Sequence, residues 1–376
     1  MKKLIIYFVA AFLLISCSKE KGFQISGTIT NFGSPISSTM LYLKTRNADA
    51  ILVNIDSTFI NNDGSFILKG ISSDDDLFFL ADKDNVFFLR VFVGKGDKIT
   101  VKGSATDFRN IKVEGSKLQA LYDEYLSLFK EIEEQQETIY HNYSVYKQDA
   151  SISEEQLGKI GEDLSLKLQQ LEELSNKITI DFISANANST VAAYLVYKNA
   201  LSLSSTTEIE QQVRLLDPSM NNKFITSIKN HLDKLKQIEL GKVFPNIELP
   251  DSEGNIISLE SLRGKYVLVD FWATWCAPCL DLIPDLIKCY SNYHDKGFEI
   301  YSISLDQNRE AWINYIATKE LSWVNVSDLQ AFSSPVVKQF VVNYIPHTFL
   351  LDRTGMIIAI DINGEDLEKL LLELLP

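Results

Sequence analysis

One short stretch limits what this chain folds into more than any other. Tyr266 to Phe271 is a continuous apolar run interrupted only by Asp270, the pattern of a strand buried in a sheet. Leu280 to Tyr293 reads as a helix, and Cys276-Ala277-Pro278-Cys279 lies at the junction between them. A cysteine at a helix N-terminus sits beside unpaired backbone N–H groups and the positive end of the helix dipole. Both favour thiolate over thiol, so the pKa falls and the sulfur becomes a nucleophile. Two intervening residues keep the second sulfur within one turn of the first. Cys279 is therefore placed to attack a mixed disulfide formed at Cys276. Pro278 has no N–H and is tolerated in a first turn, where that donor would lack a helical partner.

The rest of the last third fits this junction. From about residue 241, apolar strands alternate with helices, which predicts a buried central sheet with helices on both faces. Strands are read at 298–305, 348–351 and 356–360, and helices at 308–318 and 365–375. Glu253-Gly254-Asn255 marks a hairpin turn near the start. Residues 115–240 read differently: glycine and proline nearly vanish, and Leu118, Leu121, Tyr122 and Tyr125 recur at helical spacing. Glu131 to Glu137 is a charge run read as a solvated helix face. Residues 23–114 read as many short strands, with Asn62-Asp63-Gly64 as a strong turn, so a small antiparallel sandwich or barrel is expected. The fold class is multidomain: a β-rich domain over 23–114, a helical spacer over 115–240 and an α/β domain over 241–376.

The string from Val267 to Cys279, VDFWATWCAPC from Val269 onward, resembles the thioredoxin active-site segment, VDFWAxWCxPC. The resemblance covers about residues 242–376 and implies a thioredoxin-like fold and a thiol–disulfide oxidoreductase. It gives the redox-active disulfide to Cys276 and Cys279, with Cys276 attacking and Cys279 resolving. Asp270 becomes the proton acceptor for Cys279, against the bland reading of a strand-end aspartate turned to solvent. Pro284 matches the helix-kinking proline. Ile345-Pro346 resembles the cis-proline segment, whose preceding backbone faces substrate. Trp275, Ala277, Pro278 and Ile345 then form the substrate-binding lip, with Trp272 as a second shield or as plain core. The hairpin near 253–255, Ser304-Leu305-Asp306 and the long stretch from Ala311 to Asn343 resemble the extracytoplasmic TlpA/ResA-like branch. Two departures stand out: this chain keeps Asp270 and Ala273 where that branch often differs, and Ser302 falls where the family has a lysine. His347 stands where many relatives have threonine. The upstream residues resemble, in organisation only, the domains ahead of thioredoxin modules in envelope lipoproteins of the Bacteroidota.

The N-terminus sets the compartment. Lys2 and Lys3 precede an uncharged apolar run, Leu4 to Ile15, too short for an ordinary membrane span. It ends in Leu14-Ile15-Ser16-Cys17, which resembles a bacterial lipobox. A signal peptide over 1–16, lipidation of Cys17 and a tether over 17–22 are expected, with a plain signal peptide as the alternative. The chain has 4 Cys, too few and too clustered for a disulfide framework once Cys17 carries lipid. Cys289 is read as a small buried apolar residue. A structural disulfide is disfavoured by the helix-start placement. Zinc needs about four ligands, and beyond His294 and Cys289 no second set is legible. No metal and no cofactor is expected. A net charge of −14 argues against nucleic acid as a partner.

These readings imply a lipid-anchored oxidoreductase in a bacterial envelope, facing the periplasm or cell surface. Its partners are protein disulfides or thiols and a membrane electron donor. Reduction is favoured by the resemblance, with apocytochrome c thiols among the substrates; the chain itself has no CxxCH, since Leu280 follows Cys279. An oxidase or isomerase, and a binding or scaffold lipoprotein acting through the β-rich domain, stay open at this point.

Overall fold

The computed structural model describes residues 22–32, 39–46, 51–72, 74–149, 151–203 and 205–376. The expected signal peptide, Cys17 and the tether to residue 21 lie outside the described residues. Gly22, the last tether residue, already belongs to the first strand. The chain divides into two compact units between Ala192 and Ala193.

The first unit holds β1 (Gly22–Thr30), β2 (Met40–Arg46), β3 (Leu52–Phe59), β4 (Ser65–Ile71), β5 (Asp76–Ala81), β6 (Phe88–Val93), β7 (Lys98–Ser104) and β8 (Asp107–Glu114). They form two four-stranded sheets, ordered β4-β1-β7-β8 and β3-β2-β5-β6. One core joins both sheets, with Phe23, Ile25 and Val101 from the first and Leu41, Phe78 and Val91 from the second. That is a sandwich rather than a barrel, and it is not wholly antiparallel: β1 runs parallel to β7. A parallel pair needs a long crossover, which β2 to β6 supply. Gly27 marks where this pair comes closest, because a Cβ there would lie 1.8 Å from the Val101 carbonyl oxygen. Three helices follow, α1 (Lys117–Ser127), α2 (Lys130–Gln148) and α3 (Glu154–Ala185). Ser153 and Gln156 cap α3 reciprocally. The charge run lies on α2, whose one buried residue is Ile132.

The second unit opens with α4 (Thr190–Ala200), which spans the division, α5 (Thr206–Val213) and α6 (Lys223–Gln237). A hairpin of β9 (Glu248–Pro250) and β10 (Ile256–Ser258) comes next. Then follow β11 (Tyr266–Trp272), α7 (Ala277–Tyr293), β12 (Phe298–Ser304), α8 (Arg309–Lys319), β13 (Val324–Val326), α9 (Pro335–Gln339), β14 (His347–Leu351), β15 (Ile357–Ile360) and α10 (Gly364–Leu374). The sheet order is β13-β12-β11-β14-β15. β11, β12 and β13 are parallel, β14 runs against them, and β15 pairs antiparallel with β14 and so returns to their direction. Every residue of β12 is buried, as a central parallel strand requires.

The division between units differs from the boundary near residue 241 that composition marks. Gly241 is where the chain turns with a positive φ of 80° and donates its amide to the Ile357 carbonyl, 2.8 Å away. Secondary structure changes type there, but the packing does not part. Helices α4 to α6 belong with the sheet that follows. Asn343 Nδ2 donates to the Leu201 carbonyl at 3.1 Å, and Lys234 Nζ to the Lys338 carbonyl at 3.1 Å.

Two glycine substitutions have opposite expected signs. Gly27→Ala forces β1 from β7 and should destabilise by about 1–3 kcal/mol, the usual cost of overpacking. Gly158→Ala, in α3 with nothing within 4 Å of an added Cβ, should stabilise by up to about 1 kcal/mol. Urea unfolding followed by far-UV circular dichroism checks both. A Gly27→Ala midpoint equal to wild type would contradict the close approach.

Candidate active site

The buried run of β11 ends at Trp272, and the chain then turns through Ala273 to Trp275 into α7. Asp306 holds that turn. Its Oδ2 accepts from the Thr274 amide at 3.0 Å, and its Oδ1 accepts from Thr274 Oγ1 at 2.6 Å. Ser304 Oγ donates to the same carboxylate at 2.7 Å. The Leu305 amide donates to the Trp272 carbonyl at 2.8 Å, tying the ends of the two central strands together. In the sequence, Ser304-Leu305-Asp306 stands out only by resemblance. Serine and aspartate two residues apart at the end of a buried strand are the signal that points to this brace.

Cys276 is the N-cap of α7. Its Sγ accepts from the Cys279 amide at 3.2 Å, taking the place a serine or aspartate oxygen occupies at other helix starts. The two sulfurs form a disulfide, with Cα atoms 5.3 Å apart. Ala277 is the first helical residue and Pro278 the second, both exposed. Pro284 lies inside α7. Trp275 is 56% exposed and lies with its ring tilted against that of Phe332, where the expected lip would need it. Trp272 is instead buried against Tyr315 and belongs to the core, because its side chain leaves a central strand rather than the turn.

The Ile345–Pro346 bond is cis. It brings the Ile345 carbonyl oxygen to 3.7 Å from Cys276 Sγ. The loop that carries this bond is braced from β15. Asp361, at the end of that strand, accepts from Tyr344 Oη at 2.7 Å and lies 2.5 Å from His347 Nδ1. These neighbours hold the Asp361 carboxyl below its usual pKa, although its partial burial works the other way. His347 is therefore partnered through its Nδ1. The Tyr344–Asp361–His347 cluster was not legible in the sequence, since Asp361 lies outside any motif.

Asp270 sits in the middle of β11, flanked in register by Ser302 of β12 and Thr348 of β14. It is buried, not turned to solvent. Burial raises its pKa to about 7, and the hydrogen bond from Ser302 Oγ, at 3.2 Å, offsets only part of that rise. Ser302 offers a neutral hydroxyl where a lysine would offer charge. A carboxyl that titrates near neutrality is suited to exchange a proton with a thiol. Cys289 is a buried free thiol, its pKa pushed up to about 11 mainly by burial.

The buried aspartate has a stability signature. An unfolded aspartate titrates near 3.9, and Asp270 in the folded chain near about 7. Between those values the native state holds more protons than the unfolded state, so stability falls as pH rises and levels off above the folded pKa. Three pKa units correspond to about 4 kcal/mol. In Asp270→Asn this loss should vanish, leaving the variant more stable than wild type at pH 8. Urea midpoints of the oxidised protein between pH 4.5 and 8 test it. Parallel curves for the two proteins would contradict a buried, titrating Asp270.

The sequence is similar to known thiol-disulfide oxidoreductases. The AhpC/TSA family model matches residues 240–360, and a domain of unknown function, DUF4369, matches residues 23–122. The thiol-disulfide oxidoreductase ResA of Bacillus cereus is 32% identical over 150 residues, covering 40% of this chain and 84% of that protein. ResA of Bacillus subtilis is 29% identical, covering 33% of this chain and 68% of that protein. A solved thioredoxin domain of a thiol-disulfide oxidoreductase from Bacteroides vulgatus is 35% identical, covering 37% of this chain and 99% of that one, with a TM-score of 0.35. With a β-rich domain and helices ahead of its thioredoxin-like domain, this chain belongs to the ResA/TlpA-type thiol-disulfide oxidoreductases.

Proposed function

We propose that the chain is a lipid-anchored, extracytoplasmic reductase of protein disulfides, working through Cys276 and Cys279. The observation that carries this reading is the N-cap position of Cys276, with the Cys279 amide aimed at its sulfur beside the cis Ile345–Pro346 bond. In the dithiol form, that amide and the positive end of α7 favour a Cys276 thiolate. The thiolate attacks one sulfur of a substrate disulfide. A mixed disulfide forms, and the first substrate sulfur leaves as thiolate. Cys279 passes its proton toward Asp270 and attacks Cys276 Sγ. The second substrate sulfur leaves, and the Cys276–Cys279 disulfide remains. The substrate has gained two electrons, which a membrane dithiol donor must restore, since an exported compartment is oxidising.

Trp275, Ala277, Pro278 and the Ile345 backbone form the surface against which a substrate chain lies. Anchoring rests on the Leu14-Ile15-Ser16-Cys17 pattern. Among the described residues, no helix is long and apolar enough to cross a membrane. Paired thiols of apocytochrome c fall within this substrate class.

Dithiothreitol-driven insulin reduction should be lost in the Cys276→Ser, Cys279→Ser double variant. Unchanged activity would sink the assignment. Cys279→Ser alone should hold substrates at Cys276 as mixed disulfides, recoverable from envelope extracts and released by reductant. Cys17→Ser should move the protein from the membrane fraction to the soluble one, and continued membrane association would contradict a lipid anchor.

A further inference from the structure

We infer that a cleft beside the cis-proline loop is a second binding site, which takes a large apolar side chain of the polypeptide whose disulfide is attacked. The cleft has a volume of about 540 Å³, within the ordinary range for ligand sites. Leu201, Leu203, Leu235 and Ile238 line one side, and Phe340, Phe349 and Ile360 the other. Apolar surface is left in water here: Leu201 is 41% exposed, Tyr344 51% and Ile360 37%. The two carboxylates that line it are both partnered. Asp361 is held by Tyr344 and His347, and Glu239 accepts from Thr206 Oγ1 at 2.5 Å. The walls thus offer surface to an apolar group rather than a bare charge to an ion.

The occupant follows from the loop that the cleft shares with the redox site. Tyr344 and His347 line the cleft, while Ile345, between them, places its carbonyl 3.7 Å from Cys276 Sγ. A substrate chain laid along this loop advances about 3.3–3.6 Å per residue. Residues within a few positions of the attacked cysteine therefore reach the cleft. Half of its wall, from Leu201 to Glu239, precedes the 240–360 segment that matches the AhpC/TSA family. The helices ahead of the redox domain thus give this chain a selectivity that the matched segment alone does not provide. This inference rests on the protein-disulfide reading above.

The test uses full-length reduced protein and a set of fluorogenic peptides with one internal disulfide. A single Phe is moved through the four positions on each side of the attacked cysteine, with Ser elsewhere. One position should raise kcat/KM by about tenfold or more over the all-Ser peptide, as burial of one aromatic side chain allows. In Leu203→Glu and in Ile360→Glu, each of which brings a carboxylate to a partly exposed wall position, that advantage should fall to less than about twofold. A flat profile in wild type, or a peak that survives in both variants, overturns the cleft assignment. Failure of wild type to reduce any peptide, the all-Ser one included, overturns instead the protein-disulfide reading beneath it.

Discussion

The Cys279 amide donates to Cys276 Sγ at 3.2 Å, and that contact fixes where the remaining parts of the site must lie. It exists only if the chain leaves a rigid strand and enters a helix within a few residues. β11 supplies the rigidity, paired on one edge with β12 and on the other with β14. Asp306 fixes the intervening turn through Thr274. β14 delivers the cis Ile345–Pro346 bond from the opposite direction, so the sulfur and the Ile345 carbonyl meet at the end of the central strand. In the proposed mechanism the N-cap role and the nucleophile role fall on one atom, because both use the unpaired amides of a helix start.

Asp270 is the part of this arrangement that works against folding. Its burial disfavours the carboxylate, and Ser302 offsets little of that. A serine at that register position leaves the aspartate without a cationic neighbour from β12, so burial dominates its titration. Two other carboxylates near the site are held by donors instead. Asp361 has Tyr344 and His347, and Asp306 has Thr274 and Ser304. That contrast sets Asp270, the proposed proton acceptor, apart from the carboxyls that brace the loops around it.

The redox centre was legible because its signals are local. A buried strand, a CxxC pair and a helix within one short stretch announce themselves by periodicity and residue type. What escaped has non-local causes. β5 reads poorly because Leu77 to Ala81 are all buried, so alternation is absent; β8 reads poorly because it is mostly exposed. The parallel β1–β7 pair depends on a crossover that no local window contains. Trp272 and Trp275 look equivalent in the sequence, and only the end of β11 between them separates the buried ring from the exposed one. Asp361 acts on Tyr344 and His347 across a strand pair, which sequence spacing does not show. The cleft walls contributed by α4 to α6 escaped for the same reason, since composition marks where secondary structure changes and not which cores are shared.

The central claim is that Cys276 owes its reactivity to its place at the start of α7, and its ionisation is the direct test. In the reduced protein, the pH dependence of iodoacetamide labelling at Cys276, read by peptide mass spectrometry, should show a midpoint well below the ordinary thiol value of about 8.5. Cys279 should label more slowly at every pH below that value. A Cys276 midpoint at or above about 8.5, or faster labelling of Cys279, would contradict the account.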